Sequence, residues 1–275
     1  MFPNGFAIRF GKLSSFLAID VLVSLLANLS FFSLYGNEKI RFTLLIFYTS
    51  SVWALYLADH LWDSFREKEP FSERGIFYQN FRLLIVSFLI FMIFLSLFTG
   101  IYFEFSFLLR NFPLTFSFVF FLILIVTYCS PIPKEILVSV FYTLGVIAPF
   151  TSITCLDPLV WIFLIHVFAN VLLTYNTDRE FDLVQNTFTL NQFGKPETVR
   201  KFVRFLLCLG SLLLLGMGIW GGLQLPFLLG MGLAYLWLGV CSFLRGGNFQ
   251  FKSLCEFSYL PLFLPQIFFF FSLLP

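Results

Sequence analysis

The chain has 275 residues, of which 59% are hydrophobic and only 12% are charged. Soluble domains carry roughly 25% charged residues. This composition, with a mean hydropathy of +0.90, therefore excludes an ordinary soluble protein and indicates an integral membrane protein. The net charge of +2 gives no sign of a nucleic-acid partner, and we expect none.

Successive apolar stretches approach the roughly 20 residues that a helix needs to cross the hydrocarbon core. Short polar breaks, or breaks marked by Pro or Gly, separate them. The pattern predicts nine transmembrane helices, at 14–36, 42–64, 82–103, 111–130, 135–155, 158–181, 201–221, 224–244 and 254–273. No stretch is left over for a soluble domain, so we expect an all-α, multi-pass membrane bundle that forms a single domain over residues 1–275.

The distribution of basic residues orients these helices. With the N-terminus in the cytoplasm, 14 of the 17 Lys and Arg residues lie on that side of the membrane. The other side receives only Lys39, Arg41 and Arg110. This asymmetry follows the positive-inside rule, and it predicts a cytoplasmic N-terminus and an odd number of spans.

Two acidic clusters lie at the predicted cytoplasmic ends of helices. The first comprises Asp59, Asp63 and Glu67, and the second comprises Asp178, Glu180 and Asp182. Carboxylates beside lipid are costly and are seldom kept without a cation or a function. Within each cluster, carboxylates four residues apart share one helix face, where they can bind a divalent metal.

The clusters resemble the two Asp-rich motifs of the UbiA superfamily of intramembrane prenyltransferases, whose members have nine helices. The family's first motif is N-D-x-x-D-x-x-x-D, at the cytoplasmic end of the second helix. In this chain Asp59 stands for the Asn and His60 for the first Asp. Asp63 and Glu67 stand for the second and third Asp.

The later part of the chain carries the resemblance further. Asp178 and Asp182 match the D-x-x-x-D of the second motif, and Thr189–Leu190 match the Thr-Leu pair that follows it. Gln192–Lys195 is similar to the loop after this motif, and Tyr128–Lys134 is similar to the segment that leaves the fourth helix. These segments occur in the family's order, so the resemblance covers the whole chain.

The resemblance implies Mg²⁺-dependent transfer of a prenyl group from a prenyl diphosphate to an aromatic or other lipophilic acceptor, among the membrane lipids. Metal held by carboxylates would neutralise the leaving diphosphate, aided by basic side chains. The implied metal ligands are Asp59, Asp63, Glu67, Asp178 and Asp182. The implied catalytic residues are Asp63, Asp178, Asp182 and Lys134, and the implied substrate-binding residues are Asp59, His60, Arg66, Asn170, Asn176, Arg179 and Lys195.

The first motif departs from the family pattern, and this leaves alternatives open. His60 replaces a carboxylate, the type of ligand that Mg²⁺ prefers, and Asp59 replaces an amide. A terpene cyclase would use the same metal sites without an acceptor, and a non-catalytic isoprenoid- or lipid-binding protein would tolerate the altered motif. A transporter is disfavoured, because the acidic residues lie at helix ends rather than at the membrane midplane.

Overall fold

The structure is a computed structural model that describes residues 12–67, 72–127, 130–177, 179, 188–244 and 249–272. This part of the chain forms helices and loops and contains no strand, which confirms the all-α prediction for it. The helices are α1 Ile19–Tyr35, α2 Phe42–Arg66, α3 Glu73–Asn80, α4 Arg82–Tyr102, α5 Phe105–Arg110, α6 Phe112–Val126, α7 Lys134–Ile147, α8 Pro158–Tyr175, α9 Pro196–Trp220, α10 Leu225–Phe243, α11 Phe249–Glu256 and α12 Leu264–Ser272. Short 3₁₀ helices cover Leu190–Phe193 and Phe257–Phe263.

Six helical segments among the described residues are long and apolar enough to cross a membrane. They are α2, α4, α8, α9, α10 and the composite segment Gln250–Phe271. The other three predicted spans overlap shorter helices, namely α1 with 17 residues, α6 with 15 and α7 with 14. The structure thus supports a helical membrane protein, and the count of nine spans stays a prediction.

The chain divides into two compact units. Unit 1 contains Met1–Val23 and Ile40–Arg110, and unit 2 contains Ser24–Lys39 and Asn111–Pro275. Within unit 1, α2 packs along α4 and also contacts α3. A buried cluster joins these three helices, formed by Leu57, Leu61, Tyr78 and Ile85. Within unit 2, α8 packs against α7 and α9, and α10 packs against α9.

Two helix boundaries differ from the predicted spans for local reasons. The predicted span 14–36 is interrupted at residues 17–18, where Ala18 adopts a left-handed backbone with φ of 54°. This conformation is costly for a residue other than Gly and ends a right-handed helix. Helix α7 ends at Ile147, before the predicted end at residue 155, because Pro149 has no N–H group to continue the helical hydrogen bonds.

Unit 1 contains a fully buried carboxylate that the sequence analysis did not select. Glu104 lies between α4 and α5, and its side chain is 0% exposed. The Arg41 guanidinium donates to it at 2.5 Å, and the Thr43 hydroxyl donates to its other oxygen. These contacts fix the start of α2 to the turn between α4 and α5, and they supply the partners that a buried charge requires.

Unit 2 contains a second carboxylate with several donors, in the loop that follows α1. Glu38 accepts hydrogen bonds from the backbone N–H of Ser152 at 2.5 Å and from the backbone N–H of Thr151 at 3.1 Å. The Thr151 hydroxyl also donates to it at 3.1 Å. These hydrogen bonds, those from Ser152 above all, lower the pKa of Glu38 from 4.5 to about 2.

The substitution Glu38→Gln tests this contact through its pH dependence. Because the folded-state pKa lies below the unfolded value, the carboxylate stabilises the fold above pH 4.5 and loses this effect as the pH falls to about 2. We expect Glu38→Gln to lower the Tm in detergent at neutral pH, with the difference from wild type shrinking over that pH range. Near-UV circular dichroism on heating measures this. The neighbouring variant Lys39→Gln is the control, and a Tm difference for Glu38→Gln that does not change with pH would contradict the assignment.

Candidate functional site

The first acidic cluster lies on the last turns of α2, where it contacts α3. Helix α2 continues to Arg66, and the backbone N–H of Glu67 closes it by donating to the Asp63 carbonyl at 3.0 Å. His60, Asp63 and Glu67 are three and four residues apart, so they share one face of the helix. Residues at the start of α3 and along it contact all three of these side chains.

The carboxylate of Glu67 accepts hydrogen bonds at the N-terminus of α3. It accepts from the backbone N–H of Ser72 at 2.8 Å and from the Ser72 hydroxyl at 3.1 Å. Ser72 is also the N-cap of α3, because its Oγ accepts from the backbone N–H of Gly75 at 3.0 Å. A Cβ atom at Gly75 would clash with Glu67 Oε2, so the absence of a side chain there leaves room for the carboxylate.

Asp63 forms an ion pair with Arg74, the second residue of α3. Arg74 Nη2 lies 3.4 Å from Asp63 Oδ2, and the two side chains are only 17% and 21% exposed. Arg66, which the resemblance implies as a substrate-binding residue, is exposed, with its guanidinium 5.8 Å from the centre of the Trp62 ring. Its role in substrate binding stays a prediction.

The third contact joins His60 to Tyr78 and to a backbone carbonyl. The Tyr78 hydroxyl donates to the Phe16 carbonyl at 2.8 Å. His60 Nδ1 lies 3.3 Å from the same hydroxyl and 3.4 Å from the Phe16 carbonyl. Tyr78 is fully buried, and this burial raises its pKa; the charge of nearby Arg74 acts against this rise, and that of Asp59 adds to it. Its phenol therefore remains protonated and acts as a hydrogen-bond donor.

The helix break before α1 explains why these side chains meet. The left-handed Ala18 interrupts the helix directly after the carbonyls of Phe16 and Leu17. Tyr78 donates to the first of them, and Trp53 Nε1 donates to the second at 2.7 Å. A buried polar backbone group requires a partner, so side chains of α2 and α3 stabilise the segment at the break.

In unit 2, the segment that follows the second acidic cluster is bonded to the start of α7. The backbone N–H of Lys134 donates to the Phe188 carbonyl at 3.0 Å. The backbone N–H of Leu190 donates to Glu135 Oε2 at 2.9 Å, and Glu135 is fully buried. The ammonium group of Lys134 lies 5.2 Å from the centre of the Tyr175 ring. Glu135, which the sequence analysis did not select, thus positions the Thr-Leu pair that the resemblance identified.

Asn176 and Arg179, two further predicted site residues of unit 2, donate hydrogen bonds to backbone carbonyls near the start of α9. Asn176 donates to the Pro196 carbonyl at 3.4 Å, and Arg179 donates to the Gly194 carbonyl. Both contacts join the region at the end of α8 to the start of α9. The exposed Lys195 directly precedes α9, and its side chain makes no capping hydrogen bond there.

Asn170 lies deeper in unit 2, within the span α8. It is 1% exposed and donates to the Cys255 carbonyl at 3.0 Å. This contact satisfies a backbone group of α11, so the structure gives Asn170 a packing role; its predicted role in substrate binding stays a prediction.

Mg²⁺, which the resemblance implies, favours oxygen ligands in octahedral geometry. Asp63 and Glu67 supply carboxylate oxygens on one helix face, and each carboxylate has more acceptor sites than its hydrogen bonds to α3 use. Within the described ranges, no group of three or more His, Cys, Asp or Glu side chains could hold a metal ion. Asp63 and Glu67 thus offer the type of ligand that Mg²⁺ prefers. Asp178 and Asp182, which the resemblance also implies as ligands, lie outside the described residues.

A scan against protein-family models found no match, and searches of curated proteins and of solved structures found none either. The resemblance to the UbiA superfamily therefore depends on the motifs and on their order along the chain.

Removing the Arg74 side chain tests how α3 is held. Arg74→Gln breaks a part-buried ion pair worth roughly 1–2 kcal/mol, between the values for exposed and for buried pairs. We expect amide hydrogen exchange in α3 to accelerate by roughly 5- to 30-fold. Lys12→Gln is the matched control, because it breaks the Lys12–Glu73 pair on the same helix, whose side chains are 36% and 60% exposed. Equal acceleration in both variants would contradict the special role of Arg74.

Proposed function

We propose that this protein is a Mg²⁺-dependent intramembrane prenyltransferase, which transfers a prenyl group from a prenyl diphosphate to an aromatic or other lipophilic acceptor. The observation that carries the proposal is the arrangement at the end of α2. Asp63 and Glu67 lie one turn apart, part-buried, at the end of a 25-residue apolar helix. A charged head beside an apolar helix surface is the setting that a prenyl diphosphate needs.

The acidic residues, their partners at α3 and the basic residues would have separate roles in this function. Asp63, Glu67, Asp178 and Asp182 would hold Mg²⁺, which when bound neutralises the charge of the leaving diphosphate. Ser72 and Arg74 fix the orientation of the first two carboxylates through their hydrogen bonds and ion pair. Ligands that are already oriented lose less entropy on binding, which favours a precise geometry. Lys134 and Arg179 remain the proposed cationic contacts for the diphosphate.

The surroundings of the first cluster also suit an allylic cation. The ring centres of Tyr56 and Tyr78 lie 6.4 and 5.8 Å from that of His60. Aromatic faces attract positive charge, and they do so more strongly where water is excluded. These rings support the proposal, because departure of diphosphate leaves positive charge on the prenyl carbon.

Single substitutions in each cluster test the proposal. Asp63→Asn and Asp182→Asn each remove one negative ligand at nearly constant shape. Each should lower Mg²⁺-dependent diphosphate release by at least about 10²–10³-fold, the usual effect of losing one electrostatic contact. His60→Asn should have a smaller effect on this step. The assay uses purified protein in lipid nanodiscs and a panel of prenyl diphosphates, with and without candidate acceptors.

The controls separate loss of chemistry from loss of fold. Glu73→Gln neutralises an exposed carboxylate on α3, paired with Lys12, and should leave diphosphate release near the wild-type rate. Binding of the donor's apolar tail, measured in parallel, should survive in Asp63→Asn and Asp182→Asn. Full turnover by both of these variants would contradict the proposal.

A non-catalytic lipid-binding protein is the second candidate, and one observation favours it. Asp63 and Glu67 already hold α3 through Arg74 and Ser72, which is a structural reason to keep both carboxylates. This candidate predicts that the wild-type protein binds isoprenoid lipids but releases no diphosphate from any donor. Release that needs no acceptor would instead indicate a terpene cyclase.

A further inference from the structure

A surface of unit 1, at the end of α2 and the start of α4, combines exposed aromatic rings with two arginines. Trp62 and Phe65, on the last turns of α2, are 52% and 51% exposed. Arg82 is the first residue of α4, and it is exposed as well. Its guanidinium lies 4.5 Å from the centre of the Phe65 ring, and the guanidinium of Arg66 lies 5.8 Å from the centre of the Trp62 ring. These four residues form an aromatic–arginine surface.

Arg82 contacts Phe65 with the face of its guanidinium, which leaves the N–H groups at the edge available. Within the described part of the chain, Arg82 forms this ring contact and no hydrogen bond or ion pair. The five N–H donors of a guanidinium lie in its plane, where pairs of them match two oxygens of a phosphate. Arg82 can therefore bind a phosphate group while it retains its contact with Phe65.

An arginine of unit 2 with a similar ring contact has a structural role that Arg82 lacks. The Arg204 guanidinium lies 4.0 Å from the centre of the Phe243 ring, and its Nη2 also donates to the Ser242 carbonyl at 3.0 Å. Arg204 thus satisfies a carbonyl at the C-terminal end of α10. Among the described residues, Arg82 has no such backbone partner, so helix capping does not account for its charge.

The exposed residues that follow Arg82 along α4 indicate contact with acyl chains. Leu83, Leu84 and Phe94 are all strongly exposed. Helix α4 is long and apolar enough to cross a membrane, and this exposed face is the part of it that lipid can reach. The distribution of basic residues predicts that the start of α4 lies on the cytoplasmic side, where anionic phospholipids give the membrane surface its negative charge.

We propose that the aromatic–arginine surface binds an anionic phospholipid, with the lipid phosphate at the edge of the Arg82 guanidinium and the acyl chains along the exposed face of α4. Trp62 suits this position, because its amphipathic ring favours the level of the lipid headgroups. Arg66 adds a second positive charge, and the two arginines outnumber Asp59, the exposed carboxylate one turn before Trp62. The surface therefore attracts an anionic lipid more strongly than a zwitterionic one.

Quenching of Trp62 fluorescence tests the proposal at the surface itself. The full chain is placed in phosphatidylcholine nanodiscs that contain increasing fractions of brominated phosphatidylglycerol or, in a parallel series, brominated phosphatidylcholine. Each protein is also prepared with Trp62→Phe, so that the difference between the two signals reports on Trp62 alone. We expect the brominated phosphatidylglycerol to quench Trp62 at a lower mole fraction than the brominated phosphatidylcholine.

Substitutions of Arg82 test the contact with the phosphate. Arg82→Gln should weaken the association of phosphatidylglycerol, relative to phosphatidylcholine, by about 5-fold, the effect of one basic side chain near an anionic lipid surface. Arg82→Lys keeps the charge but loses the planar group, so it should retain only part of the preference. Lys201→Gln is the matched control, because it removes one exposed positive charge near the start of α9 in unit 2 and should leave the quenching of Trp62 unchanged.

Several results would overturn the proposal. Equal quenching of wild-type Trp62 by the two lipids would do so, and so would an unchanged preference in Arg82→Gln or, if that variant fails to fold, in Arg82→Lys. An absence of quenching by either lipid would mean that protein rather than lipid covers the surface. Displacement by glycerol phosphate, which lacks acyl chains, would indicate a site for free phosphate instead. The assay contains no prenyl diphosphate, so its outcome is independent of the proposed prenyl transfer.

Discussion

Buried polar groups must find partners within the protein, and unit 1 is organised by this constraint. The carbonyls of Phe16 and Leu17 directly precede the left-handed Ala18. Tyr78 and Trp53 pair with them, and this holds α3 and α2 to the segment before α1. The carboxylates at the end of α2 follow the same rule, because each accepts from the N-terminal part of α3. Ser72, Arg74 and Tyr78, at the start of this short helix and along it, therefore each pair with a polar group of unit 1.

The same side chains that hold α3 are those that the resemblance assigns to a metal site. Asp63 pairs with Arg74, and Glu67 accepts from Ser72. The two roles are compatible, since a carboxylate has acceptor sites on two oxygens and can bind a cation while it retains a hydrogen bond. They also explain why α3 matters for any activity at this site: its position sets the orientation of the carboxylates on α2.

The sequence predicted the long, uninterrupted apolar helices well. Helices α2, α4 and α10 begin and end within two residues of the predicted spans 42–64, 82–103 and 224–244, since polar residues or helix breakers flank each stretch. Helix α3 was not predicted, because eight residues form a stable helix only through contacts such as those of Ser72 and Tyr78. No Gly or Pro near Ala18 marks the helix break in the sequence. The position of the break therefore also depends on tertiary contacts.

The sequence supplied the residues of the candidate site but not their contacts within the fold. Asp63 and Glu67 both contact the region at the start of α3, and Arg74 reaches Asp63 only through folding. Glu104 and Glu135 could have been found, because a single carboxylate within an apolar stretch requires a buried partner.

The proposed function requires both acidic clusters for the binding of a divalent cation with the donor. Mn²⁺, which also favours oxygen ligands, reports on this by electron paramagnetic resonance. The protein would be loaded with a prenyl bisphosphonate that cannot ionise, and Mn²⁺ binding compared among wild type, Asp63→Asn, Asp182→Asn and Glu73→Gln. The account predicts that both cluster variants lose the same bound Mn²⁺ signal and that Glu73→Gln retains it. Unchanged Mn²⁺ binding in either cluster variant, or no binding by the wild-type protein, would contradict the account.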